Sequence, residues 1–422
     1  MATIRPLKGL RYSEKAGELD RLTAPPYDVI SATERVLLES RSPYNVVKLT
    51  LPERHDDDRS QFVKYARSAA TLADWRREGI LNVEPQPAIY RYLQTFKDPY
   101  TGESHTRSSF IALLKTEPYS KGIVLPHEQT FPKHKADRMR ILEATRAHLE
   151  CILGLYEDPS GSILEALKSA PATGSYRCVS DEGTTQILEP IADGEAVKKL
   201  CDMLSDKKVW IADGHHRYET ACEFRETLGE KDGLIPEDFI LMAFSSIADP
   251  GLLLLPTHRI IEELPYGKAE ILRRLETLYD MQAVHSTRLS VDLRAADGQV
   301  FGLALPGGEG YILRAKDQSK INALTSDVGS KHLSSLDVTV LHKVILEHLL
   351  EVKGLDSIEF TRDPKEAILA ADEGHACAFL MNAPTVEDMK VIATGGEKMP
   401  QKSTYYFPKV LSGLVLWSLN DF

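Results

Sequence analysis

The residues best suited to chemistry in this chain of 422 amino acids stand together in one stretch, Val209-Trp210-Ile211-Ala212-Asp213-Gly214-His215-His216-Arg217-Tyr218-Glu219-Thr220-Ala221. An apolar strand runs into a glycine turn and then a helix start. Tyr218, Ala221 and Cys222 share one helix face, leaving His215, His216 and Arg217 in the first turn. The backbone N–H groups there lack intrahelical acceptors, and the helix dipole is positive at that end. Cationic side chains placed against that dipole are unfavourable unless an anion joins them, so the stretch predicts a phosphate or carboxylate site. Arg217 can fork two phosphate oxygens, and Gly214 lets a ligand approach the backbone. Asp213 also reads as a simple helix cap, but capping does not account for three successive donors set against the dipole.

Four other stretches carry polar groups at rigid positions. His127-Glu128 lacks the second histidine four residues on that a zinc-protease helix needs, because Phe131 stands there, and Pro126 and Pro132 make it a loop. Glu128 is a candidate general base or metal ligand, set against a structural salt bridge. His127 and Arg138 are candidate substrate contacts around it. Lys402-Ser403-Thr404 could hold phosphate oxygens but has no glycine-rich Walker loop ahead of it, and the residues by themselves read as a polar loop. Asp28, after Pro25-Pro26-Tyr27, and His258-Arg259 at a strand end are further candidate substrate contacts that turn chemistry also explains.

The elements that must position these groups read as a mixture of helices and strands without strict alternation. Strands are expected at residues 45–51, 88–96, 110–115, 151–156, 208–212, 239–246 and 251–256, with helices at 59–80, 137–148, 162–169 and 195–204. From residue 262 the pattern restarts: a helix at 268–278, strands at 300–305 and 311–314, a helix at 338–350, a βαβ-like run at 358–380 and an apolar tail at 410–419. The fold class is therefore α+β, a mixed-sheet, multi-domain protein. The division expected is 1–260 and 261–422, with residues 399–409 returning to the site.

Composition narrows the function classes. Hydrophobic residues make up 42% and charged residues 27%, an ordinary globular balance. A net charge of -11 argues against general nucleic-acid binding, which needs a basic surface. No apolar run is long enough to span a bilayer, and residues 1–6 do not open a signal peptide, so a cytoplasmic protein with a small-molecule partner is expected. The five scattered cysteines argue against a disulfide framework or a cysteine zinc site, and Cys151 and Cys377 read as buried thiols.

The blocks Ala24-Pro25-Pro26-Tyr27-Asp28, Pro126-His127-Glu128-Gln129-Thr130, Asp137-Arg138, Ile211 to Ala221, Pro256-Thr257-His258-Arg259 and Met399-Pro400-Gln401-Lys402-Ser403-Thr404 together resemble the family known as domain of unknown function 1015 (DUF1015), over essentially the whole chain. The stretch from Asp213 to Ala221 is also similar to the ParB/sulfiredoxin superfamily, which includes free-serine kinases. That second resemblance implies a ParB/sulfiredoxin-like domain in which Gly214, His215, His216 and Arg217 hold nucleotide phosphates; Lys402, Ser403 and Thr404 join them as candidates on their residue types. It implies ATP or ADP and Mg2+ as cofactors, with Asp213 and Glu128 as metal ligands. The catalytic set it implies is Glu128, Asp213, His216 and Glu219, with Glu128 and Glu219 both open as the base. The expected function is a nucleotide-dependent kinase of a small hydroxylated metabolite such as free serine. The alternatives are a ParB-like nucleotide sensor without turnover, or a phosphatase that binds a phospho-metabolite. Neither nucleic acid nor membrane is an expected partner, and a homodimer is left open.

Overall fold

The computed structural model describes all residues except 353, 355 and 356. Two compact units divide the chain. The first comprises residues 1–126, 130–253 and 408–422, and the second comprises 127–129 and 254–407. This differs from a cut at 260/261 in three ways. The boundary falls seven residues earlier, the three residues His127–Gln129 join the second unit, and the last fifteen residues join the first. Sequence pattern sees only local changes, whereas the units are set by which distant segments pack together.

The first unit is built on a nine-stranded mixed sheet. Along the sheet the order is Val124–Leu125, Val209–Asp213, Ile152–Tyr156, Phe239–Ser246, Ser104–Lys115, Ile89–Lys97, Thr185–Ile191 and Tyr176–Val179, with Ile4–Arg5 pairing to Ser104–Lys115 off this path. Two neighbouring pairs are parallel, Val209–Asp213 with Val124–Leu125 and Phe239–Ser246 with Ile152–Tyr156; the others are antiparallel. Alternation along the strands gives the sheet two different faces. One face sends Phe110, Ala112, Leu114, Ile152, Ile211, Met242 and Phe244 into an apolar core shared with residues of the helices Ser162–Ser169, Gly194–Leu204 and His215–Thr227.

The opposite face carries a buried polar track. Tyr92 stands opposite Ser109, and Gln94 opposite both Arg107 and Gln186; Ser245 is paired with Ser109 and bonds it through their hydroxyls at 2.6 Å. The final segment lies along this track: Gln94 Nε2 donates to the Lys409 carbonyl at 3.0 Å, and Arg107 donates to that of Pro408. Further along, Trp417–Ser418 pairs antiparallel with Ala147–His148, and the Trp417 indole stacks on the His148 ring at 5.6 Å.

The second unit holds a six-stranded sheet, antiparallel throughout, in the order Tyr279–His285, Glu309–Ala315, Val300–Leu305, Cys377–Leu380, His258–Ile261, Ile358–Thr361. Ile358–Thr361, the helix Pro364–Asp372 and Cys377–Leu380 form the βαβ run, with His258–Ile261 inserted between its two strands. Among the departures from the sequence pattern, besides unexpected helices at Ala32–Arg41, Leu289–Ala295, Gln318–Leu324 and Val386–Thr394, two concern strands. Residues 45–51 read as a strand but form a short helix, Val47–Thr50, because the Asn45 side chain accepts from the Val47 amide and donates to the Arg21 and Thr23 carbonyls. Tyr279–His285 is a strand where none was expected, and it carries Asp280 and Gln282 among exposed positions.

None of the described helices is long and apolar enough to cross a membrane. Cys151 and Cys377 are buried, and burial pushes both thiols up to about 12.

Trp417 is fully buried, so Trp417→Ala should cost about 3–5 kcal/mol. The expected reading is a large drop in the urea midpoint at unchanged slope; a midpoint within error of the parent would show that the tail is not part of the core.

Candidate functional site

The strand Val209–Asp213 ends in a β-bulge. Ile211 is opposite Gly154 but Asp213 is opposite Leu153, so two residues advance against one. Ile211 faces the apolar core; the extra residue turns Asp213 to the other side. Gly214 then takes φ +94°, and a Cβ there would lie 2.4 Å from Ile152 Cγ2 and 3.0 Å from Arg217 Nη2. Only glycine suits a turn this tight. The helix His215–Thr227 follows with Gly214 as its cap, no side chain capping it and no acidic residue in its first turn.

The geometry corrects the capping reading of Asp213. Its carboxylate is an ion-pair centre: Arg217 Nη2 lies 2.9 Å from one oxygen and the Lys409 ammonium donates to the other. Burial by itself would raise the carboxyl's pKa, yet Lys409 and Arg217 hold it well below the ordinary carboxylate range. Arg217 folds inward, with Nη1 donating to the Cys151 carbonyl at 2.7 Å. Burial disfavours its charge, but Glu150, Asp213, Asp28 and Tyr27 outweigh that and raise its pKa. Only 9% of Arg217 is exposed, and its Nε is buried without a hydrogen-bond partner. His215 is also buried, whereas His216 is partly exposed and its Nε2 accepts from the Phe131 amide at 2.9 Å.

The surrounding candidates in this unit have assigned work. Arg138, expected to meet substrate, is buried; it donates to the Thr50 carbonyl at 2.8 Å, pairs with Asp137 and lies 3.8 Å over the Tyr27 ring. Its donors are engaged within the protein. Glu150 accepts from the Tyr27 amide at 2.9 Å and the Ser412 hydroxyl at 3.1 Å. Asp28 is exposed on the turn Tyr27–Val29, within electrostatic range of Arg217. Glu219, one of two candidate bases, accepts from Thr130 and pairs with Lys135 at 3.4 Å, facing the helix Pro132–Thr145.

The remaining candidates gather in the second unit. Glu128 Oε1 accepts from the Lys402 amide at 3.0 Å, and the Met399 amide donates to the His127 carbonyl at 2.8 Å. His127 is fully buried, its Nε2 2.9 Å from Thr404 Oγ1. Ser403 is buried and donates to the Pro400 carbonyl. Lys402 holds φ +56°, in the left-handed region. Arg259 is fully buried, donating to the Thr257 carbonyl, His342 Nε2 at 3.1 Å, Met381 Sδ at 3.1 Å and the Lys402 carbonyl at 3.2 Å. His258 beside it accepts from the Met381 amide at 3.4 Å, and burial with Arg259 lowers its pKa to about 3. His127, His258 and Arg259 are therefore interior residues, and His127 and Arg259 hold the 399–404 loop.

Magnesium does not fit the ligand pair expected for it. Each Asp213 oxygen lies against a cation, and the Glu128 carboxylate takes the Lys402 amide. Among the described residues, the grouping with metal-ligand spacing is His55, Asp57 and Asp58, none of them a site candidate, and Asp58 is paired with Arg67.

Sequence reading missed two members of the site. Lys409 has no local signal, since only the folded tail brings it to Asp213. Glu150 does have one: it is a lone acid at the head of the apolar run Cys151-Ile152-Leu153-Gly154-Leu155.

An α+β chain with an uncapped, cation-bearing helix start after a strand bulge is the class that this geometry defines. The chain belongs to the DUF1015 family, described as a protein of unknown function, whose pattern matches residues 4–339. No curated protein matches it. Solved structures that it is similar to include a conserved hypothetical protein from Pyrococcus furiosus (13% identity, TM-score 0.34, covering 71% of this chain and 94% of that one). Another is a free serine kinase in complex with AMP (14%, 0.33, 68% and 84%). A third is SbnI with a C-terminal truncation from Staphylococcus aureus (14%, 0.37, 72% and 86%). Likenesses at this level carry nothing about what the chain binds.

Asp213 contributes stability that is complete above the unfolded carboxyl pKa near ~4 and is lost as pH falls towards its lower folded value. Lys409→Met removes one of the two cations, so the folded value rises and less of that stability remains. Acid unfolding followed by circular dichroism should then begin at higher pH than in the parent; superimposable acid transitions would show that the Lys409 pair contributes nothing.

Proposed function

We propose that this chain is a nucleotide-dependent phosphotransferase acting on a small hydroxylated metabolite, with the nucleotide phosphates held at the first turn of the helix His215–Thr227. The observation that carries this reading is Arg217. Its guanidinium is nine-tenths buried at a helix start with no acidic residue, and its Nε is left without a partner. A buried N–H donor left unsatisfied is costly, and an oxyanion is the acceptor the helix dipole also favours. The similarity of residues 213–221 to the ParB/sulfiredoxin superfamily supports the same placement.

Asp213 aligns the cations in this reading. A carboxyl held so far below its ordinary range is a weak base, and phosphoryl transfer depends chiefly on positioning and charge. The bond from the terminal phosphorus to the bridging oxygen breaks, the shortened nucleotide leaves with that oxygen, the phosphoryl group bonds to the acceptor oxygen, and the acceptor's proton leaves to solvent or a base. Magnesium enters as part of the nucleotide substrate. Free serine heads the acceptors to be tried, with ATP and ADP both tested as donors.

Phosphorus NMR of the protein with magnesium, nucleotide and a pool of hydroxylated metabolites is the direct test. A new phosphomonoester resonance is expected, and Arg217→Lys, which keeps the charge but loses the Nε donor, should slow its appearance by roughly 10²-fold. Nucleotide that binds but stays unchanged would replace this reading with a sensor. Nucleotide displaced by a phosphomonoester, without turnover of the nucleotide, would favour the phosphatase.

A further inference from the structure

A second helix start stands beside the first. The helix Pro132–Thr145 begins with Phe131 as its cap, without a side-chain cap and without an acidic residue in its first turn, which carries Lys133, His134 and Lys135. The Phe131 amide donates to His216 Nε2 at 2.9 Å, joining the two first turns directly. Three rings gather at this junction. Phe131 and His216 are nearly parallel, 9° apart with centroids at 6.2 Å, while His134 meets His216 edge-on at 5.2 Å and Phe131 edge-on at 5.9 Å.

Phe131 is 39% exposed. A large aromatic side chain held parallel to the His216 imidazole, the residue before the Arg217 whose buried Nε lacks an acceptor, presents a flat π-surface between two helix starts that carry no acidic residue. One ligand class combines a flat aromatic ring with an anionic group a few ångströms away, and that is a nucleotide. We propose that Phe131, backed by His216 and flanked by His134, is the platform on which the nucleobase stacks while the phosphates occupy the first turn of the helix His215–Thr227. This rests on the nucleotide reading above and adds the recognition of the base. Stacking on an aromatic face is tolerant of base identity, so selectivity among bases is expected to be weak.

Binding titrations of the full chain with ADP and with inorganic tripolyphosphate separate the two ideas. The variants are Phe131→Ala, Phe131→Leu (apolar bulk without a π-face) and Phe131→Trp, each checked by circular dichroism. Both truncations should weaken ADP roughly tenfold, leave tripolyphosphate unchanged, and be rescued by Phe131→Trp, whose fluorescence should be quenched by ADP but not by tripolyphosphate. If the parent binds ADP and Phe131→Leu binds it equally well, or if tripolyphosphate weakens in step with ADP, the platform is wrong and the phosphate site stands. If the parent binds tripolyphosphate with no gain from the base, the platform is again wrong. If it binds neither ligand, the nucleotide reading itself falls.

Discussion

The Asp213 carboxylate between Arg217 and Lys409 is the interaction around which this end of the first unit's sheet is arranged. It joins a strand end, a helix and the final segment, three pieces of chain up to 196 residues apart. Charges this sheltered are tolerated only when each has its partner, because removing one strands the others in a poor solvent for ions. Every nearby backbone irregularity serves that meeting. The bulge at Ala212 turns the carboxylate off the apolar face, and the positive φ of Gly214 brings the Arg217 guanidinium back against the turn. Arg217 then reaches the Cys151 carbonyl, which ties the helix to the start of the adjacent strand.

Buried guanidinium groups are handled in two ways in this molecule. Arg138 and Arg217 have carboxylates, through Asp137 and Asp213. Arg107 and Arg259 have none among their hydrogen-bond partners. Arg107 rests on Gln94 and the Pro408 carbonyl with Nη1 unsatisfied, and Arg259 rests on carbonyls, an imidazole and a thioether. Burial lowers the first to about 10 and the second to about 9, so both still carry their charge at neutral pH. Each fixes one carbonyl of the last segment within its own unit, Pro408 in the first and Lys402 in the second. A planar group with five donors can hold several backbone acceptors at once, which a lysine in the same place cannot do.

Much of this fold was legible because its strands and helices follow their periods. Residues 162–169 and 239–246 match the helix and strand observed there, and Tyr218 and Ala221 lie on the buried face that their spacing implies. What could not be read was anything decided at a distance. The fate of Arg217 depends on Cys151 and Asp213, and that of His127 on Thr404, 277 residues away. Spacing placed three donors in one helix turn correctly, but not the inward path that two of them take. Residues 45–51 show the converse, where one asparagine's local hydrogen bonds outweigh a β-prone composition.

A chain with a net charge of -11 is not an obvious home for an anion site. The contradiction dissolves on the scale of screening. At physiological ionic strength exposed charges are felt over about 8 Å, so the field at the two first turns is set by the groups on them rather than by the whole surface. Neither first turn contains an acid, and between them they present Lys133, His134 and His216. A net negative chain and a local concentration of cationic groups at these two helix starts are therefore compatible.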